Sequence, residues 1–164
     1  MRSLKEFAAV QWAAIADRQT RAWASKPIES QQRTLAQLMA KASATSFGQD
    51  HGFSEVRSHQ DLVQAVPLRD YEALRPYIDR VVAGESDVLW TGRPTYFAKT
   101  SGTTSGAKYI PLTKESVPYH ITSARNALFA HMRATGSSKM VNGSMIFLQG
   151  SPVLEDKNGL PTGR

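Results

Sequence analysis

The residues best suited to chemistry lie in one short segment, residues 99–111. Between two apolar stretches this segment contains five serines and threonines, two glycines and two lysines. The candidate phosphate-binding residues are Thr100, Ser101, Gly102, Thr103, Thr104, Ser105, Gly106 and Lys108. Glycine allows a positive φ, so successive backbone N–H groups can surround an anion, while the hydroxyl groups and Lys108 add donors and positive charge. The segment therefore predicts a loop that binds a polyphosphate.

Two common nucleotide-binding motifs do not fit this segment. A Walker A loop needs four residues between its glycines and then Gly-Lys followed by Ser or Thr. Here three residues separate Gly102 from Gly106, and Ala107 precedes the lysine. The Gly-x-Gly-x-x-Gly dinucleotide fingerprint is not matched either. Since Ser, Thr and Gly also favour turns, a polar hairpin loop without a ligand is the alternative interpretation.

The order of residues in the loop resembles the phosphate-binding motif of the acyl-adenylate-forming superfamily, which includes acyl-CoA synthetases, luciferases and nonribosomal adenylation domains. The majority form of that motif has glycine directly after the second threonine and proline before the lysine, whereas this chain has Ser105-Gly106-Ala107. That variant is similar to the auxin-responsive-promoter family of acyl-acid amido synthetases, in its bacterial branch. The other similar segments are residues 47–48, 51–53, 66–72, 76–78, 88–90, 96–99 and 147–152.

The resemblance implies a two-step reaction. ATP and a carboxylic acid would form an acyl-adenylate and pyrophosphate, and an amine, often that of an amino acid, would then displace AMP to give an amide. The loop from Thr100 to Gly106 would wrap the ATP phosphates, Lys108 would be a charge partner, and Mg²⁺ would accompany the nucleotide. The partners implied are a small carboxylic acid and an amine; the catalytic residues are not identified by this resemblance.

The length of the chain bears on this interpretation. Family members are several times longer than 164 residues. The expectation is therefore an N-terminal part of the adenylate-forming domain, without the C-terminal domain and its catalytic lysine. The alternative is a truncated, inactive remnant or a fragment that binds nucleotide weakly. An incomplete core also predicts exposed apolar surface and self-association.

The elements that position the loop predict an α/β fold with a helical N-terminal region, residues 1–84, followed by strands, loop and helix in residues 85–164. The spacing of Ser3 and Glu6 predicts a capping box at the start of the first helix. Pro27 begins a second helix, and Gly48 and Gly52 mark its end. Ser58 opens a short helix, and Asp70 caps a further one over residues 71–82.

The second region is predicted to contain short strands at residues 88–90, 96–98, 109–110 and 145–148. A long helix is expected from about residue 114 to residue 135, with Thr113 as its cap and Gly136 at its end. Residues 158–164 are expected to form a loop.

Composition narrows the remaining function classes. The net charge is +6 and the pI is near 9.8, but the basic residues are scattered among acidic ones, which disfavours a nucleic-acid-binding module. There is no cysteine, so disulfides and thiolate metal sites are excluded. Without an export signal or a run of about 18–20 apolar residues, the expectation is a cytoplasmic protein with no membrane partner.

Two further sets of side chains have structural interpretations. The four histidines match no local metal-ligand spacing, so no metal site is predicted. Of these, His51 is expected to be a packing or turn residue. Trp12, Trp23 and Trp90 are expected in the core.

Overall fold

The computed structural model describes residues 3–100, 106–144, 146 and 154–163. The chain divides into two compact units, residues 1–30 with 115–148 and residues 31–114 with 149–164. The helices are α1 (Leu4–Ala24), α2 (Pro27–Ala42), α3 (Ser46–Asp50), α4 (His59–Ala65), α5 (Tyr71–Val82), α6 (Ser116–Thr135) and a 3-10 turn (Lys139–Asn142). The strands are β1 (Tyr96–Lys99), β2 (Tyr109–Leu112), β3 (Glu155–Lys157) and β4 (Leu160–Gly163).

In the first unit, α1 packs against α6 and the 3-10 turn. The contact surface of α1 is built from small residues, since Ala13 and Ala16 are buried and Met132 of α6 is buried too. Trp12 and Trp23 are both more than half exposed, so their predicted place in the core is wrong. The physical reason is that the buried face of α1 carries Ala13 and Ala16, and its tryptophans lie off that face.

The caps of α1 and α6 agree with the sequence prediction in part. Ser3 Oγ accepts the Glu6 N–H at 3.2 Å, as predicted, but the Glu6 carboxylate accepts a hydrogen bond from the Asn142 side chain. Helix α6 begins at Ser116 with Glu115 at its N-cap position, so the predicted cap at Thr113 is wrong. Gly136 ends α6 with φ +68°, as predicted.

In the second unit, α2 and α3 approach closely. Thr45 caps α3 by accepting the Gly48 N–H at 3.1 Å. Gly48 was predicted to mark the end of α2 but lies inside α3, where an added Cβ would be 2.0 Å from the Ala42 carbonyl oxygen. The buried residues of this part of the core are Met39, Ala42, Phe53 and Val56, with Leu35, Phe47, Leu62, Ala65, Val66 and Trp90 packed against them. Trp90 therefore lies against the core, as expected.

The N-terminal caps of α4 and α5 are the residues predicted from the sequence. Ser58 and Asp61 form a complete capping box at α4. Asp70 Oδ1 accepts the Ala73 N–H at 2.9 Å and so caps α5, which accommodates Pro76 within its length.

The four strands form one sheet in the order β2-β1-β4-β3. Strand β1 is antiparallel to β2 and parallel to β4, and β3 is antiparallel to β4. The Phe97 side chain of β1 is fully buried with Val81 and Val88, and Tyr77, Val82, Leu89, Tyr109 and Leu160 pack against that cluster. Helix α5 thus lies against the sheet that carries both ends of the candidate loop.

Two elements predicted for the second region differ from the observed structure, and a third lies mostly outside the described residues. Residues 88–90 do not form a strand, because the carbonyls of Asp87 and Val88 accept the N–H groups of Ser46 and Phe47 at the start of α3. Residues 158–163 are not a loop, since Asn158 and Gly159, with φ of 52° and 81°, connect β3 to β4 as a hairpin. Of the strand predicted at residues 145–148, only the exposed Ile146 is described.

A membrane-spanning helix requires a long apolar segment, and none of the helices in the described residues meets that requirement.

Candidate phosphate-binding site

The candidate loop connects two neighbouring antiparallel strands. Lys99 at the end of β1 pairs with Tyr109 at the start of β2. One residue beyond that pair, the Thr100 N–H donates to the Lys108 carbonyl at 3.0 Å. The two ends of the loop are therefore held together by backbone hydrogen bonds. Of the predicted site residues, Ser101, Gly102, Thr103, Thr104 and Ser105 lie outside the described residues.

Gly106 shows why a glycine is needed on the return side of the loop. Its φ is +83°, a left-handed conformation that costs other residues about 1–2 kcal/mol. An added Cβ would meet no heavy atom within 4 Å. Backbone conformation, not crowding, therefore requires glycine here.

Lys108 leaves the loop beside an aromatic ring of α5. Its Nζ lies 5.2 Å from the centroid of the Tyr71 ring, within the range of a cation–π contact. The Tyr71 hydroxyl accepts the backbone N–H of Tyr109 at 2.9 Å. The first residue of α5 therefore contacts both Lys108 and the residue after it.

The other lysine of the segment has a different partner. Lys99 Nζ lies 2.7 Å from the Glu155 carboxylate of β3, so its charge is already paired. A third lysine, Lys157 of β3, lies 5.7 Å from the centroid of the Tyr109 ring. Of these two lysines, Lys99 is thus paired with a carboxylate, and Lys157 on the edge strand β3 contacts an aromatic ring.

His51 has the packing role that was expected. Its ring stacks on Phe47 with centroids 4.1 Å apart. Arg69 donates to His51 Nε2 at 2.9 Å, so Nδ1 must carry the ring proton and donate to the Phe47 carbonyl at 2.8 Å. Both nitrogens are therefore engaged within the fold. Among the residues that the structure describes, no three His, Cys, Asp or Glu side chains come together as a metal site would require.

Several side chains near the helices have shifted pKa values, and each shift has a structural cause. The Tyr77 hydroxyl donates to Asp50 at 2.7 Å, and this hydrogen bond raises the pKa of Tyr77. The Arg80 guanidinium hydrogen-bonds Glu85 and lowers the pKa of that carboxyl. The backbone N–H groups of Arg57 and Ser58 lower the pKa of Asp61, with the Arg57 N–H contributing most. These pKa shifts come from a hydrogen bond, an ion pair and a helix cap, and they do not identify an acid or base for catalysis.

Comparison with known proteins assigns the family. The model of the GH3 family N-terminal domain matches residues 17–164. The chain belongs to the GH3 family. Within that family it is similar to the jasmonoyl–L-amino acid synthetase JAR4 of Nicotiana attenuata, with 26% identity over 136 residues covering 81% of this chain and 23% of that protein. It is also similar to the indole-3-acetic acid-amido synthetase GH3.15 of Arabidopsis thaliana, with 34% identity over 106 residues covering 62% of this chain and 17% of that protein.

Solved GH3 structures have the same fold. A structure of the GH3.15 acyl acid amido synthetase matches with a TM-score of 0.66 and 27% identity, covering 80% of this chain and 24% of that one. A second structure, of AtGH3.15 in complex with 2,4-DB, matches with a TM-score of 0.69 and 24% identity, and this match indicates a shared fold only. The chain covers between 17% and 24% of the length of these GH3 relatives. The mixed fold of helices with a small sheet is thus that of the GH3 N-terminal domain.

The sequence did not indicate the contact between Tyr71 and Lys108. The two residues lie 37 positions apart in the chain, and the sequence marks Tyr71 only as the first residue of a capped helix within a segment similar to the family. The signal that could have pointed to it is an aromatic residue fixed directly after an Asp cap. The lysine that it contacts becomes apparent only from the packing of α5 against β2.

Proposed function

We propose that this chain provides the ATP phosphate-binding loop of an acyl-acid amido synthetase. Family membership supports the reaction class, and one geometric observation supports the site. That observation is a loop closed by the Thr100–Lys108 backbone bond, with Gly106 in a left-handed conformation and Lys108 at its exit. We further propose that the chain belongs to the bacterial branch of the family, because of Ser105-Gly106-Ala107, and that it acts in the cytoplasm.

The proposed chemistry has two steps. A carboxylate oxygen of the acid attacks the α-phosphorus of ATP, which forms the acyl-adenylate and releases pyrophosphate. The nitrogen of an amine or amino acid then attacks the acyl carbon, and an N–C bond forms. The nitrogen loses a proton to solvent, and AMP leaves with the electrons of the broken C–O bond. We expect the substrates to be a small carboxylic acid and an amine, in line with the jasmonoyl and indole-3-acetic acid conjugation named for the relatives.

The role of the loop is electrostatic. Negative charge builds up on the departing pyrophosphate, and donors already aimed at that charge lower the barrier. The hydroxyls of Thr100, Ser101, Thr103, Thr104 and Ser105 and the ammonium of Lys108 are donors of the required kind. Mg²⁺ would arrive as part of the MgATP substrate, since hard oxygen ligands from the phosphates suit it.

Acid-dependent exchange of labelled pyrophosphate into ATP tests the reaction in the complete gene product. Ser101→Ala and Thr104→Ala should each lower exchange by about ten- to a hundredfold, because each removes a hydrogen bond to a charged oxygen. Ser137→Ala, at an exposed serine outside the loop, is the matched control. Exchange that is absent, or that does not depend on an added acid, contradicts the assignment.

Nucleotide binding without catalysis is the second candidate, because the described geometry of the loop, with Gly106 and Lys108, concerns phosphate binding alone. Calorimetric titration of this chain with MgATP separates the outcomes. Micromolar binding indicates a loop that is formed and functional in this chain. An absence of heat favours an inactive remnant.

A further inference from the structure

We propose that Tyr71 is a positioning residue of the nucleotide site, and that its ring holds the Lys108 ammonium ready for the ATP phosphates. This inference rests on the proposed function, because it gives Lys108 a nucleotide to bind. It adds a residue from α5, outside the loop segment. Two contacts of Tyr71 carry the argument, one from its hydroxyl and one from its ring.

The hydroxyl fixes the position of Tyr71 relative to the loop. Asp70 caps α5 and so fixes the helix start at Tyr71. From there the Tyr71 hydroxyl accepts the Tyr109 N–H at 2.9 Å, at the first residue of β2. That amide directly follows Lys108, so the hydrogen bond connects the C-terminal end of the loop to the first residue of α5.

The ring then holds the lysine without blocking it. Lys108 Nζ lies 5.2 Å from the Tyr71 ring centroid. A ring attracts an ammonium through its quadrupole and occupies none of the positions that a phosphate oxygen would take on the far side. A carboxylate partner, such as Glu155 for Lys99, would have to be displaced before phosphate could bind. The aromatic contact is therefore the partner expected for a lysine that must remain available.

Holding Lys108 in place also reduces the loss of side-chain entropy on binding. A lysine side chain loses considerable rotamer freedom when it binds a phosphate, and this loss weakens binding. A side chain that already lies near its bound position loses less. Removing the ring should therefore weaken MgATP binding. The ring centroid also lies 6.0 Å from Arg75 Cζ, but the loss should disappear in a variant that lacks Lys108.

Nuclear magnetic resonance tests the contact without any nucleotide. The Lys108 side-chain methylene protons near Nζ should show an upfield ring-current shift, assigned with Lys108→Ala. Tyr71→Phe should keep this shift and Tyr71→Leu should abolish it. If the wild-type protein shows no such shift, the ring does not hold the lysine in solution and the proposal is overturned, whether or not Tyr71→Leu folds.

A double-mutant cycle on MgATP affinity tests the role. Tyr71→Leu should raise the Kd about threefold to tenfold, as expected for loss of a partly exposed cation–π contact. In the Lys108→Ala background the same change should have no further effect. Tyr71→Phe, which keeps the ring, should bind within about threefold of wild type, and Tyr119→Phe on α6 is the matched control for loss of an exposed hydroxyl.

The outcomes separate this inference from the proposed function. If wild type binds MgATP but the losses from Tyr71→Leu and Lys108→Ala add, the function stands and the role of Tyr71 is overturned. A loss for Tyr71→Phe as large as that for Tyr71→Leu also overturns it, because the hydroxyl and not the ring would then matter. If this chain does not bind MgATP, nucleotide binding by its loop and the role of Tyr71 both fail, and pyrophosphate exchange in the complete gene product decides the reaction class.

Discussion

At the scale of single residues, the two lysines of the candidate loop have the same chemistry and different partners. Lys99 is paired with the Glu155 carboxylate, whereas Lys108 contacts the Tyr71 ring. A carboxylate neutralises a lysine, and an aromatic ring leaves its charge and donors available. Lys108 is therefore the lysine to test for nucleotide binding.

Replacing Lys108 by alanine should weaken MgATP binding by about tenfold or more. A hydrogen bond from a charged donor to a phosphate is worth about 1.5–3 kcal/mol, and about 1.4 kcal/mol corresponds to tenfold. Isothermal calorimetry measures the change. Lys114→Ala removes the same charge at an exposed position and should have little effect. Equal losses for the two variants would indicate a general effect of charge.

Replacing Gly106 by alanine should distort the return side of the loop. At φ +83° an alanine costs about 1–2 kcal/mol, so MgATP affinity should fall by about tenfold. Gly143→Ala is the matched control, because Gly143 has φ −94° and an added Cβ there makes an ordinary 3.7 Å contact. Unchanged affinity in the Gly106 variant would mean that the loop does not need this conformation to bind nucleotide.

At the scale of elements, the sequence predicted the features that depend on near neighbours in the chain. The caps at Ser3, Ser58 and Asp70 were predicted because a side chain and an amide a few residues away make each of them. Residues 88–90 have the composition of a strand, yet their carbonyl groups bond to the start of α3, which lies about forty residues earlier. The sequence indicated the loop, but it could not indicate that a residue of α5 contacts Lys108.

The close approach of α2 and α3 gives a prediction about stability. Gly48→Ala would place a Cβ 2.0 Å from the Ala42 carbonyl oxygen, and backbone atoms cannot move aside easily. The free energy of unfolding should fall by at least about 2–3 kcal/mol, the upper range for overpacking. Urea denaturation measures this loss. Gly143→Ala should be close to neutral, and a Gly48 variant as stable as wild type would contradict the close approach.

The start of α4 gives a prediction about pH. The Asp61 carboxylate accepts the N–H groups of Arg57 and Ser58, both at 2.9 Å, and its pKa is lowered from 3.8. Because the pKa is lower in the folded state, the stabilisation is present above the unfolded pKa and is lost as pH falls through the folded value. Asp61→Ala should therefore be less stable than wild type at pH 7, and the difference should narrow below about pH 3.8.

Urea denaturation across this pH range measures the effect. Asp79→Ala removes the same charge from an exposed position of α5 and controls for the change in net charge. A stability difference for Asp61→Ala that stays constant from pH 7 to the acid limit would contradict the role of the carboxylate.

At the scale of the whole molecule, apolar side chains cover much of one helix surface. Leu4, Phe7, Trp12, Ile15 and Trp23 of α1 are all more than half exposed. Periodicity alone indicated a helix with apolar positions, but it could not tell which of them would be buried. Ala13 and Ala16 are the buried residues of α1, whereas these large apolar side chains are exposed, in agreement with the expectation of exposed apolar surface.

This surface leads to a prediction about association. The chain should self-associate at micromolar concentration and bind a hydrophobic dye, since large exposed apolar patches promote both. Trp12→Gln should weaken association by about tenfold, because burying a large apolar side chain is worth about 1.5–3 kcal/mol. Sedimentation analysis measures it. Leu68→Gln, at a fully exposed leucine outside α1, should leave association unchanged, and a monomeric wild type would refute the prediction.

The strand order has a consequence for how the protein is made on the ribosome. Strand β4 lies directly beside β1, although about sixty residues separate them in the chain. Before residues 160–163 are synthesised, β1 can pair with β2, but the other edge of β1 has no partner strand. The buried cluster around Phe97 then also lacks Leu160, which packs against it in the folded chain. An unpaired edge of this kind attracts other strands. Translation that pauses after α6 would thus leave this sheet open to chaperones until the β3–β4 hairpin has emerged from the exit tunnel.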